Sequence, residues 1–138
     1  MKTRFTAGVL LAIFTFLFLE TEYLFVNIMG TLSNSQQAVS AQGLVLGTSV
    51  IGFLLYALFY RIKSAFVKRV VTVMFPIVMA VCLFFLYEAD SYAICLFVGC
   101  VVFVLLGLFG SALHYHALFY VGRDSHLALL IGAAYALG

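Results

Sequence analysis

Charged residues are scarce in this chain. Only 9% of its 138 residues are Asp, Glu, Lys or Arg, whereas 66% are hydrophobic, and the mean hydropathy is +1.22. Soluble globular domains have roughly 25% charged and about 45–50% apolar residues, so the composition excludes that class and indicates an integral membrane protein. The net charge of +2 is small. We therefore expect this segment to bind no nucleic acid.

The sequence also lacks the patterns that carry catalysis and metal binding. It contains no nucleophile elbow, glycine-rich phosphate loop or HExxH motif, so we expect neither enzyme activity nor a cofactor. Cys82, Cys95 and Cys100 lie inside apolar runs without Cys-x-x-Cys or Cys/His spacing, which is typical of small packing residues. His114 and His116 are two residues apart and point to opposite sides of a helix, so we expect no metal site.

Apolar runs separated by short polar breaks predict the fold class, an all-α polytopic membrane helix bundle. A spanning helix needs about 20 apolar residues. The expected full helices are 5–32, 43–60, 70–87 and 92–118, with the start of a fifth at 126–138. We treat 1–138 as a single membrane domain. Because the fifth run is short and stops within apolar sequence, we expect the chain to be the N-terminal piece of a longer protein.

The basic residues predict the topology. Four of the seven Lys and Arg residues lie between the second and third expected helices: Arg61, Lys63, Lys68 and Arg69. Short basic loops stay on the cytoplasmic side of a membrane, so the N-terminus is also expected there. The exterior breaks at 33–42 and 88–91 contain no Lys or Arg. We therefore expect a multi-pass protein of the plasma or inner membrane, in contact with the lipid bilayer.

The N-terminus has a second interpretation. Lys2 and Arg4 precede an apolar run at 7–19, as in a signal peptide. However, no Ala-x-Ala-like cleavage site follows, and Glu20-Thr-Glu22 leads directly into a second apolar run. We favour an uncleaved first helix.

Two acidic residues within the first expected helix are the main candidates for a ligand site. Two central acids cost roughly 5–7 kcal/mol on insertion scales, which nearly cancels the roughly 4–8 kcal/mol contributed by the apolar residues. Glu20 and Glu22 therefore need partners, protonation or a water-filled cavity. Glu20 shares a helical face with Tyr23 and Asn27, and one hypothesis is that this site binds a cation, a proton or a polar small molecule. The alternative is that the helix breaks near Glu20 and both acids lie at the outer interface.

Small residues at four-residue spacing predict the packing faces, because membrane helices associate through close backbone contact. The predicted packing residues are Gly43, Gly47, Gly99, Gly107, Ser111 and Gly132. They fit either a helix-dimer motif or packing within one bundle, and we favour the bundle. Pro76 removes a backbone hydrogen bond from the third helix and predicts a kink there.

The order of these features resembles the N-terminal part of the major facilitator superfamily. Gly43, Gly47 and the 61–69 loop occupy the place of that family's signature between helices two and three, and 122–138 is similar to its turn into helix five. The Asp and Gly of the family's loop signature are missing, and 92–120 contains no Arg or Lys where the family has an arginine. Because those residues serve gating and coupling in transporters, their loss weakens a transport interpretation.

The run 114–127 looks more like a segment of a second family, the membrane-bound regulators, in which it resembles the turn between helices four and five. In those proteins a twelve-helix facilitator-like domain is joined to a LuxR-type helix-turn-helix. This resemblance implies a fragment of a twelve-helix sensory domain, with the DNA-binding part in a missing C-terminal remainder of the chain, and a possible small-molecule ligand. The alternative is the N-terminal part of a facilitator-type secondary transporter. A small standalone membrane protein is the third interpretation.

Overall fold

The chain forms four long α-helices in the computed structural model, which describes residues 2–121, 131–133 and 135–136. Side chains are described in these ranges except at 2–5, 65, 67, 68, 72 and 119–121. The helices are α1 (Lys2–Leu32), α2 (Ser35–Tyr60), α3 (Ala65–Tyr87) and α4 (Tyr92–Val121). Residues 131–133 and 135–136 are also helical, while the turn expected at 122–126 lies outside the described residues.

All four helices are long and apolar enough to cross a membrane. The candidate spans are Thr6–Leu32, Ser35–Tyr60, Arg69–Tyr87 and Tyr92–Leu118, with 27, 26, 19 and 27 residues. A helix rises ~1.5 Å per residue, so about 20 residues cover a hydrocarbon core of roughly 30 Å. The prediction of an all-helical protein with membrane-length helices is confirmed, and no strand occurs in the described ranges.

Helix α2 begins at Ser35 rather than at Gly43, the start of its apolar run. Asn34 caps the helix, because its side chain accepts a hydrogen bond of 2.8 Å from the backbone N–H of Gln37. The Gln37 side chain accepts from the Asn34 N–H at 3.4 Å and completes a capping box. The expected loop at 33–42 is therefore mostly the first turns of α2. Apolarity marks where a helix enters the membrane, and the cap determines where the helix starts.

Helix α3 also begins before its apolar run, so the basic loop expected at 61–69 is shorter. Only 61–64 connects α2 to α3, and 65–69 forms the first turns of α3. Pro76 lies inside α3, and the helix continues on both sides of it. The kink at this residue stays a prediction.

Helix α4 is central, because it packs against α1, α2 and α3. Helix α1 runs antiparallel to α4: Phe25 lies against Gly99, whereas Phe14 lies against Gly110, further along α4. Helix α2 runs parallel to α4, since Val45 also lies near Gly99 while later residues of α2 meet later residues of α4. The largest fully buried side chains of the core are Phe25, Phe103, Leu11, Met29, Leu86, Val45, Val102 and Cys95.

The two ends of the bundle differ in charge. One end holds the start of α1, the 61–64 connection and the start of α3; we call it the basic end. Its residues include Lys2, Arg4, Arg61, Lys63, Lys68 and Arg69. The opposite half, the acidic end, holds the acidic residues of the described ranges: Glu20, Glu22, Glu88 and Asp90. The predicted orientation in a membrane rests on this segregation.

Candidate functional site

Helices α2 and α4 approach each other so closely that glycine is needed on both. A Cβ added to Gly107 would overlap the carbonyl oxygen of Ser49 and lie 2.8 Å from its carbon. A Cβ added to Gly52 would overlap the carbonyl oxygen of Val104 and lie 2.8 Å from the nitrogen of Leu108. These two contacts, one from each helix, bring α2 close against α4, and the pair forms one side of the site described below.

A hydroxyl group adds a polar contact to the same interface. Thr48 donates to the carbonyl of Val45 in its own helix at 2.7 Å and approaches the carbonyl of Cys100 in α4 at 3.3 Å. Thr48 and Gly52 have the four-residue spacing of small residues that favours helix association. Neither was among the predicted packing residues, although this spacing could have identified the face.

The predicted packing residues lie in different surroundings. A Cβ added to Gly99 would lie 2.5 Å from the ring of Phe25 in α1. Ser111 is half-buried. Apart from the backbone of their own helices, no atom of the described residues lies within 4 Å of the Cβ position at Gly43, Gly47 or Gly132. Spacing alone therefore does not distinguish a glycine at a contact from a glycine on an open surface.

The predicted acidic site is divided between two faces of α1. Glu20, Tyr23 and Asn27 share one exposed face, and Tyr23 is 68% exposed. Residues of the opposite face, including Phe25, pack in the core. The shared face of Glu20, Tyr23 and Asn27 lies on the surface of the described bundle, so these helices do not enclose it.

Glu22 lies apart from that face and has a partner in α2. Its carboxylate accepts a hydrogen bond of 2.6 Å from Nε2 of Gln42, and Glu22 is half-buried. Gln42 was not predicted as a site residue, yet it is the polar residue that directly precedes the apolar run of α2. The amide satisfies part of the carboxylate's need for hydrogen-bond donors in an apolar setting.

A cavity with a volume of about 740 Å³ lies beside α4. Small-molecule sites in proteins usually measure about 300–1,000 Å³, so the cavity has the size of such a site. Helix α3 forms one wall with Val71, Phe75, Pro76, Met79, Ala80 and Leu83. Helix α4 forms the facing wall, which includes Leu106, Leu108, Phe109, Ala112 and Leu113. Within the described residues no Asp, Glu, Lys or Arg lines this space.

Polar side chains concentrate at the basic end of the cavity. Tyr56, Tyr60 and Tyr115 form a group that we call the tyrosine cluster. The ring centroids of Tyr60 and Tyr115 are 4.8 Å apart, and those of Tyr56 and Tyr115 are 5.9 Å apart. A side-chain hydrogen bond joins Tyr60 to Tyr115. The cluster and His116 line the cavity, so its apolar walls end in hydroxyl and imidazole groups.

The tyrosine cluster was not among the site residues predicted from the sequence. Tyr56 and Tyr60 are four residues apart, and this spacing places both on one face of α2 next to the basic connection. Tyr115 comes from α4, and no local pattern relates it to the other two. The pairing depends on the parallel alignment of α2 and α4, which only the structure gives.

His114 has a packing role beside the cavity. Its Nδ1 lies 2.7 Å from the carbonyl oxygen of Gly110, and Nε2 lies 2.9 Å from the hydroxyl of Tyr135. Because a carbonyl can only accept, Nδ1 carries the proton, and in the neutral ring Nε2 accepts from Tyr135. The ring contacts those of Phe14 and Phe53, with centroids 6.4 and 6.2 Å away. Both ring nitrogens are thus engaged, and the described residues contain no group of three His, Cys, Asp or Glu able to hold a metal ion.

Comparisons with known proteins give no match: neither a family model, nor a curated protein, nor a solved structure matches this chain. The geometry of the cavity and of the polar groups around it is therefore the basis for a functional proposal.

Proposed function

We propose that this chain is a membrane module that binds a small, mainly apolar molecule in the cavity beside α4. We further propose that it belongs to the facilitator-like sensory domain of a membrane-bound transcriptional regulator. The observation that carries the proposal is the cavity of about 740 Å³, whose described lining residues include no Asp, Glu, Lys or Arg and place polar groups at one end.

The lining supports an apolar ligand with one polar end. Burial of apolar surface removes contacts with water and drives such a molecule into a protein or a bilayer, so selectivity must come from shape and polar contacts. Phe75 and Phe109 stack face to face, with ring centroids 4.9 Å apart and an interplanar angle of 20°. They provide a flat aromatic surface midway along the cavity, while the tyrosine cluster supplies hydrogen-bonding groups at the basic end.

The position of the cavity supports sensing. A ligand there contacts α3 on one side and the tightly packed α2 and α4 on the other. A ligand shifts the equilibrium between two conformations only if it makes different contacts with each of them. Movement of α3 relative to α4 would change the contacts of a ligand that lies between these helices. Helix α3 follows the short connection 61–64, so its movement is passed to the basic end, which we expect to face the cytoplasm.

A transport function is the second candidate, and the exposed face of Glu20, Tyr23 and Asn27 favours it. An acidic and an amide side chain on the outside of a membrane-length helix are costly in lipid and often mark an ion or proton path. Further helices that covered this face would enclose such a path.

Reconstitution in lipid vesicles separates the two functions. The full-length protein is incorporated with a pH-sensitive dye inside the vesicles, and binding of an apolar fluorescent probe and proton movement under an ion gradient are both measured. The sensor proposal predicts saturable probe binding and no proton flux above that of empty vesicles. Flux that Glu20→Gln abolishes contradicts the sensor proposal and supports the transporter.

A pair of matched variants assigns the binding to the cavity. Ala112 is half-buried and lines the cavity, whereas Ala57 is exposed on α2 and does not line it. Ala112→Phe is expected to abolish saturable probe binding, and Ala57→Phe is expected to preserve it. Binding that persists in Ala112→Phe contradicts the proposed site.

A further inference from the structure

The cavity is elongated along the membrane-spanning direction. Its wall on α3 extends from Val71 to Leu83, a rise of about 18 Å along the helix axis. Helix α1 adds Phe14 and Leu17 to the lining, and both are apolar. A cavity of this length fits a flexible alkyl chain better than a compact ring system.

The polarity of the lining changes along this length. The hydroxyls of the tyrosine cluster and the imidazole of His116 lie at the basic end. Toward the acidic end the polar lining residue is Thr21, and its hydroxyl donates to the carbonyl of Leu17 at 2.7 Å. Because this hydroxyl donates within its own helix, Thr21 offers a ligand only an acceptor oxygen, and the far end of the cavity is less polar than the basic end. The cavity therefore suits a molecule with one long apolar part and one polar group.

The charge around the polar end favours an anion. Tyr60 lines the cavity and is followed directly by Arg61, the C-cap residue of α2, which is exposed. Lys63 is exposed in the same connection. The acidic residues in the described part of the chain all lie at the other end. Basic side chains next to a membrane-spanning helix attract anionic lipid headgroups, with about 1 kcal/mol for each Lys or Arg near the surface.

We infer that the occupant of this cavity is an anionic lipid from the leaflet at the basic end. One of its acyl chains lies between α3 and α4, and its headgroup lies at the tyrosine cluster beside the 61–64 connection. Tyrosine is enriched at this level of membrane proteins because its ring is apolar and its hydroxyl is polar. The inference rests on the proposed ligand-binding function and names the chemical class of the ligand.

Native mass spectrometry of the whole chain tests the inference. The protein is purified from vesicles with equal amounts of phosphatidylglycerol and phosphatidylcholine that carry identical acyl chains, and the bound lipid is identified. We expect one retained phosphatidylglycerol per chain. Two basic residues correspond to a preference of about 30-fold over the zwitterionic lipid.

Two sets of variants address the headgroup and the chain separately. The double variant Arg61→Gln/Lys63→Gln is expected to lose the preference for phosphatidylglycerol, while Arg61→Lys/Lys63→Arg, which keeps both charges, is expected to retain it. Ala112→Phe places a ring in the cavity and is expected to remove the bound lipid. Ala57→Phe, on the exposed face of α2, is expected to retain it.

The other outcomes overturn the inference in different ways. Equal retention of both lipids, abolished by Ala112→Phe, overturns the anionic ligand but leaves the proposed cavity function in place. Lipid retention that Ala112→Phe does not change overturns both. A lipid-free dimer that Ala112→Phe disrupts shows that a second copy of the chain covers the cavity, and this also overturns the inference.

Discussion

The two sides of α4 are packed in opposite ways. Against α2, the backbones meet at Gly52 and Gly107, and no side chain fits between them. Against α3, large side chains such as Phe75 and Phe109 hold the helices apart and leave a cavity of about 740 Å³. The residues of α3 are also more exposed than those of α4, and Leu86 is its one fully buried side chain among those described.

This difference separates a closely packed scaffold from the proposed binding surface. Membrane helices gain little from burying apolar groups away from lipid, so their stability depends on close packing. The α2–α4 pair is closely packed in this way, whereas the α3–α4 pair is less closely packed and leaves a cavity between the helices. We therefore expect substitutions at the first interface to affect stability and substitutions at the second to affect mainly ligand binding.

The largest expected effect is the loss of the α2–α4 contact. Gly107→Ala adds a Cβ that would overlap the Ser49 carbonyl oxygen, so the helices must separate. We expect the free energy of unfolding, measured by SDS titration in mixed micelles, to fall by about 3 kcal/mol or more, at the upper end of overpacking effects.

Gly47→Ala is the matched control, because no other helix in the described part of the chain comes within 4 Å of its Cβ position. Alanine favours a helix over glycine by about 1 kcal/mol, so this variant is expected to be neutral or slightly more stable. Equal effects of the two substitutions would show that α2 and α4 are not in close backbone contact.

A smaller effect is expected at the α3–α4 interface. Phe75→Ala removes the ring that stacks on Phe109. We expect a loss of about 1 kcal/mol in the same titration, the usual contribution of an aromatic pair. Phe84→Ala, also in α3 but 62% exposed, serves as the control and is expected to change stability less. A loss at Phe75 as large as that at Gly107 would remove the distinction between the two interfaces.

The smallest expected change in stability comes from filling the cavity. Ala112→Phe adds a ring to a space that is already present, and cavity-filling substitutions commonly raise stability by about 0.5–2 kcal/mol. We expect a gain near the lower limit, measured by the same titration, together with the loss of ligand binding. A marked loss of stability would mean that the space beside Ala112 is smaller than the structure shows.

The main features of the fold could be predicted from the sequence. A continuous apolar run long enough to cross a bilayer is expected to form a helix. In the hydrocarbon core each backbone N–H and C=O group must find its hydrogen-bond partner within the segment. The ends of the helices were less predictable. Helix α2 starts at Ser35 because Asn34 caps it. This capping residue lies in a polar stretch that the sequence predicts to be a loop.

The site was less predictable than the fold, because it depends on how helices face each other. Glu22 was identified by its cost in an apolar helix, but its partner Gln42 lies 20 residues away in another helix. The tyrosine cluster likewise joins Tyr60 to Tyr115 across two helices. Residue spacing within one helix predicts the face on which a residue lies, but it does not predict which other helix packs against that face. The roles of Glu20, Tyr23 and Asn27 in ligand binding stay predictions.

Photolabelling with an apolar diazirine probe tests the central claim, that the cavity beside α4 is a ligand site, most directly. The purified chain is labelled at low probe concentration, and the modified residues are mapped by mass spectrometry. We predict saturable labelling of cavity-lining residues such as Phe75, Met79 and Leu113, which Ala112→Phe removes. Equal, non-saturable labelling of these residues and of the exposed α2 residues Val50 and Leu54 would contradict the claim.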